Sequence, residues 1–80
     1  MSKIKVAILG ATGTVGQKLI KMLESHPQFE VAELVASERS TGEVYGNIVH
    51  WREFGEVPEA VKKLKIISYK DVTSPYALSS

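Results

Sequence analysis

The chain contains no cysteine. That excludes a disulfide framework and any cysteine-ligated metal site within its 80 residues. Histidine is nearly as scarce. His26 and His50 have no convergent carboxylate spacing, so no metal motif can be written from them. Asp71 is isolated, and no Ser-His-Asp arrangement is defensible, so no catalytic residue is assigned. Charge of one sign is also lacking. The net charge is +1 with acids and bases mixed, which argues against a nucleic-acid partner. Lys62, Lys63 and Lys65 read as the wet face of a short helix. No apolar run approaches the length of a membrane span. Met1-Ser2-Lys3 leads directly into a strand and leaves no room for a signal peptide. The expectation is a cytoplasmic protein with no membrane partner, no repeat and no low-complexity segment.

Length sets a further bound. Eighty residues make at most one small domain, which buries only about 60% of its unfolded surface. A doubly wound parallel fold needs two mononucleotide-binding halves, and this chain holds roughly one. A fragment of a longer enzyme is therefore expected.

What the chain does have is Gly10-Ala11-Thr12-Gly13-Thr14-Val15-Gly16, set between a short apolar run and an amphipathic segment. A strand, a glycine-spaced turn and a helix in that order make a dinucleotide-phosphate site. The backbone must approach a pyrophosphate closely, so side chains have to be absent. The first N–H groups of the helix then face the anion, and the helix dipole favours negative charge. Thr12 and Thr14 suit helix capping as well as phosphate contact, and Val15 is expected to be both a core residue and a backbone donor.

The flanking pattern predicts strands over 3–9 and 30–36 with a helix over 14–25 between them. Val15, Leu19, Met22 and Leu23 form one helical stripe, with Gln17, Lys18, Lys21 and Glu24 on the wet side. Pro27 ends the helix, and His26 at its C-terminus suits an imidazolium facing the dipole. The unit closes within about 35 residues, the usual size of a βαβ unit. From Ser37 to Gly55 no period survives, yet Tyr45, Ile48, Val49, Trp51 and Phe54 are too apolar for a disordered segment. They predict an ordered loop packed against something. Pro58 starts a short helix with Ala60, Val61 and Leu64 inward, and 65–69 reads as a short third strand. The expected fold is α/β, a partial, truncated Rossmann-like parallel sheet: a βαβ unit plus a short helix and strand.

The end of the second strand decides the cofactor. An NAD site carries an Asp or Glu about 20 residues past the turn to bond the ribose 2′-OH. Here Ser37-Glu38-Arg39-Ser40 follows the strand. Arg39 offers a planar fork to a 2′-phosphate, with Ser37 and Ser40 to complete the anion site. NADP is preferred over NAD on this reading. Glu38 keeps the other reading open, since it could accept from a 2′-OH.

Val6 to Gln17, Leu23 to Glu30, and Ala36-Ser37-Glu38-Arg39-Ser40-Thr41-Gly42 together resemble the N-terminus of aspartate-semialdehyde dehydrogenases. Tyr45-Gly46, Trp51 and Glu56-Val57-Pro58 are similar to the archaeal and fungal-type branch and to its relative, archaeal malonyl-CoA reductase. The resemblance runs from Lys3 to Val72, the expected cofactor-domain portion (1–72). It implies an NADP-dependent homo-oligomer, dimer or tetramer, that reductively removes phosphate from aspartyl phosphate in amino-acid biosynthesis. It also implies that Gly10, Thr12, Gly13, Thr14 and Val15 hold the pyrophosphate and that Ser37, Arg39 and Ser40 meet the 2′-phosphate end. Two departures matter. The family's nucleophile is a cysteine, which this chain lacks, so the chain alone is expected to be inactive. After Val72 the family presents another apolar strand, whereas Pro75 and its polar neighbours argue against one, so 73–80 reads as a divergent or truncated tail. A small nucleotide-binding module and an interaction fragment remain open alternatives.

Overall fold

The structure, a computed structural model, describes residues 3–79. Its elements are β1 (Ile4–Leu9), α1 (Thr14–Leu23), β2 (Phe29–Val35), the one-turn helices α2 (Tyr45–Ile48) and α3 (Glu59–Lys62), β3 (Ile66–Ile67) and β4 (Tyr76–Leu78). Two 3-10 turns lie at Glu38–Ser40 and Tyr69–Asp71. The strands form one parallel sheet in the order β3-β2-β1-β4. β1 and β2 pair from Ile4↔Phe29 to Leu9↔Val35, with a register shift at Val6/Ala7 that leaves Ala32 as the extra residue. Val6 and Ile8 of β1 join Leu34, Ile66, Ile20, Tyr45, Val61 and Ala11 in one core. This is the partial parallel α/β sheet expected from strands that are apolar on both faces.

The helix turns a different side inward than its apolar stripe predicts. Gly16, Gln17 and Ile20 are the buried residues of α1, whereas Met22 is 74% and Val15 43% exposed. Gly16 brings the helix axis close to the turn, and that approach rotates the stripe. Leu19 and Leu23 pack only at its border. α1 also stops earlier than expected. His26 Nδ1 accepts the N–H groups of Gln28 (3.0 Å) and Phe29 (3.2 Å). The ring is thus an acceptor starting β2, not an imidazolium at a helix end.

The irregular segment is ordered, as its apolar content requires. Tyr45 is fully buried, and Ile48, Val49 and Trp51 pack on the core. Phe54 departs from the expectation at 87% exposed. A short antiparallel contact, Val44↔Lys65, zips the segment onto the approach to β3.

The expectation that no strand follows Val72 is corrected. Tyr76–Leu78 pairs in parallel with β1, Val6↔Tyr76 through Ile8↔Leu78. Pro75 sits immediately before the first paired residue, where no ladder N–H is needed. The crossing from β3 to β4 spans only residues 68–75 and carries no α-helix, although parallel crossovers usually take a dozen residues or more. Glu33 of β2 compensates. Its carboxylate accepts the N–H groups of Thr73 (3.1 Å) and Ser74 (2.8 Å) and both their hydroxyls. Burial raises the Glu33 carboxyl pKa, but the bonds from Ser74 and Thr73 outweigh it, and the net shift is downward. The clasp is therefore in place above the ordinary carboxylate range and lost as pH falls below it.

Candidate functional site

The chain runs β1, β2, β3 outward in one direction and then places β4 on the other side of β1. The carboxyl end of β1 is thus the point where the strand order reverses, where open parallel sheets bind ligands. The glycine turn occupies it. Gly10 has φ +70°, a conformation that L side chains resist. Gly13 caps α1 and donates its N–H to the Gly10 carbonyl at 3.0 Å. A Cβ on Gly16 would overlap the Gly10 carbonyl oxygen and lie 2.9 Å from Ala11 Cα. The first and third glycines therefore have separate steric reasons.

The turn is tied down from three sides. Ala11 N–H donates to the Val35 carbonyl (2.9 Å). The Tyr45 hydroxyl donates to the Ala11 carbonyl (2.7 Å), and the Gln17 amide donates to the Thr12 carbonyl (3.0 Å). The N-terminus of α1 is left open. No side chain caps it and no acid occupies its first turn. The capping roles expected of Thr12 and Thr14 are therefore corrected, as is the core role of Val15. The first-turn N–H groups have no intrahelical acceptor and no side-chain cap, an arrangement that suits an anion.

β2 ends beside the turn, because Leu9 and Val35 are the last paired residues of their strands. Ser37 leads into the 3-10 turn, and Ser40 N–H closes it on the Ser37 carbonyl (2.9 Å). Ser37 and Arg39 are exposed and Ser40 is half-buried. Among the described residues, Arg39 has no carboxylate within 4.0 Å. Glu38 is engaged elsewhere: it accepts from Ser68 Oγ (2.9 Å) and Thr41 Oγ1 (3.4 Å). That contact ties the turn to Ser68 at the end of β3. The structure thus brings Gly10, Thr12, Gly13, Thr14 and Val15 to the carboxyl end of the sheet with Ser37, Arg39 and Ser40. Among the described residues, no group of His, Asp or Glu could hold a metal ion.

Sequence reasoning missed Gln17, Tyr45 and Arg52. Gln17 was placed on the wet side by period alone, yet it is fully buried. Tyr45 was read as packing, with no signal for its hydroxyl. Burial pushes the Tyr45 pKa up to about 12 from 10.0. The folded state then holds a proton that the unfolded state releases, so stability is full below pH 10 and falls toward pH 12. The expected loss is roughly 2–3 kcal/mol. Urea midpoints measured from pH 9 to 12 check this. In Tyr45→Phe the same window should be flatter, and an unchanged slope would count against the buried phenol.

Comparison with known proteins agrees with this geometry. Residues 5–75 match the family described as semialdehyde dehydrogenase, NAD binding domain. An aspartate-semialdehyde dehydrogenase of Methanothermobacter thermautotrophicus is 45% identical over 64 residues, covering 80% of this chain and 18% of that protein. A malonyl CoA reductase (NADP) of Metallosphaera sedula is 43% identical over 63 residues, covering 79% and 17%. The crystal structure of aspartate semialdehyde dehydrogenase with NADP from Candida albicans superposes with a TM-score of 0.87 at 34% identity, covering 99% of this chain and 23% of that one. The chain spans about a fifth of the length of the relatives it matches.

Proposed function

The chain belongs to the semialdehyde dehydrogenase family, in its NAD-binding domain, and on that premise we propose that it is the NADP-binding half-site of an aspartate-semialdehyde dehydrogenase. The uncapped N-terminus of α1, with Arg39 at the next strand end free of any ion pair among the described residues, carries this reading. Gly10 and Thr12 to Val15 hold the pyrophosphate, with the first-turn N–H groups of α1 as donors, and Gly16 gives the helix its close approach. Ser37, Arg39 and Ser40 take the 2′-phosphate. The bound cofactor supplies hydride to the acyl group, and this chain's residues bind and orient it. With no cysteine among the 80 residues, the acyl-transfer thiolate lies outside them. The whole enzyme reduces aspartyl phosphate to the semialdehyde in the cytoplasm and works as a dimer or tetramer.

A second reading has its own observation. The Metallosphaera relative is as similar as several of the dehydrogenases, so a CoA-thioester reductase is the alternative parent. Both readings share the cofactor, so the first test concerns Arg39. Calorimetric titration of the chain should give tighter binding of NADP than of NAD. Arg39→Ala should weaken NADP about tenfold, the size of a partly solvated charged hydrogen bond, and leave NAD unchanged. Equal loss for both dinucleotides would remove Arg39 from the 2′-phosphate.

A further inference from the structure

Gln17 bonds only to backbone. Its amide nitrogen donates to the Thr12 and His50 carbonyls, both at 3.0 Å. Its amide oxygen accepts the Arg52 N–H at 2.8 Å. A segment 35 residues away in sequence is thereby pinned beside the glycine turn. The pin sets the Arg52 side chain against the first residue of α1, with Nη1 3.4 Å from Thr14 Oγ1. Arg52 is exposed, and no carboxylate lies within 4.0 Å of it among the described residues. The first turn of α1 offers no acid either.

Electrostatics make this placement informative. The N-terminus of a helix is its positive end, so it repels a neighbouring guanidinium. Here a fully buried amide holds both together, with no acidic side chain to neutralise them. An anion between them would turn mutual repulsion into a shared attraction.

We propose that Arg52 is a contact of the cofactor's pyrophosphate, adding a side-chain cation to the backbone N–H groups of the glycine turn and α1. This assignment rests on the NADP half-site reading above. It gives the site two arginines with different duties: Arg39 for the 2′-phosphate that distinguishes NADP, and Arg52 for the pyrophosphate that both dinucleotides share.

Arg52→Met and Arg52→Lys, titrated by calorimetry with NADP and with NAD at two salt concentrations, test the assignment. Both variants keep the backbone N–H that Gln17 accepts, so thermal melts should overlay the wild type. The methionine variant should bind NADP and NAD alike about tenfold more weakly, the scale of a charged hydrogen bond, with a shallower salt dependence. The lysine variant should recover part of that loss, which a purely structural role would not follow. Wild-type affinity in Arg52→Met would overturn the assignment. So would weakening of NADP alone, which would move Arg52 to the 2′-phosphate. Either result leaves the half-site reading standing. A wild-type chain that binds neither dinucleotide would overturn that reading and this assignment with it.

Discussion

Gly16→Val should unfold the chain or bring it close to unfolding. A Cβ at this position meets only backbone, the Gly10 carbonyl and Ala11 Cα. Neither can retreat cheaply. Ala11 is fully buried and held through its N–H to Val35 and its carbonyl to Tyr45. α1 would have to lift, exposing Ile20 and breaking the Gln17 bonds. Overpacking against rigid backbone costs about 4 kcal/mol at the upper end of such substitutions. A domain of this size has only roughly 4–12 kcal/mol of stability in total. Urea denaturation followed by Trp51, the single tryptophan, reads the effect directly. Gly10→Ala is the internal contrast. Its added Cβ meets nothing within 4 Å, so only the positive φ resists it, at about 1–2 kcal/mol. If Gly16→Val kept the wild-type midpoint, the helix could not be seated on the turn as described.

Gln17→Leu should cost nearly as much for an opposite reason. Its volume fits, but its chemistry does not. Leucine strands the Thr12 and His50 carbonyls and the Arg52 N–H, each at about 1 kcal/mol or more, for roughly 3 kcal/mol in all. The loss should reach binding too, because the pin that holds residues 50–52 to the turn is gone. Gln17→Glu sharpens the test. The carboxylate still accepts from Arg52 N–H but faces two carbonyls with negative charge, so its destabilisation should ease as acid protonates it. Equal damage from Gln17→Glu at pH 5 and pH 8 would show that donation by the amide is unimportant.

These two residues also mark how much the sequence can tell. The glycine spacing is legible because Gly10 and Gly16 answer backbone demands, a positive φ and a close helix approach, that other residues resist. The strands were legible because parallel pairing buries both faces. The place of Arg39 just after β2 is legible because it follows from strand length. Gln17 was not. A period assigns polar residues to water, and only the tertiary position of residues 50–52 reveals three backbone groups needing an amide. Arg52 was hidden for the same reason, since nothing local links it to a turn 35 residues earlier. β4 is hidden in the sequence because Pro75 argues against a strand that contains it, whereas it stands just ahead of the first paired residue. The compensating Glu33 lies two strands away in the sheet.

The crossing into β4 is fastened by the Glu33 carboxylate in addition to the ladder that β4 forms with β1. Tyr69 and Tyr76, its largest side chains, remain 64% and 57% exposed. Its docking therefore removes little apolar surface from water and carries little heat-capacity change. The core under α1 follows the opposite rule: hydrophobic attachment weakens on cooling. The two edges of β1 thus respond to different variables. The β2 side and its core follow temperature, whereas the β4 side follows protons. A mildly acidified, cold solution presses on both at once, and β1, paired to β2 on one side and β4 on the other, is where the two responses meet.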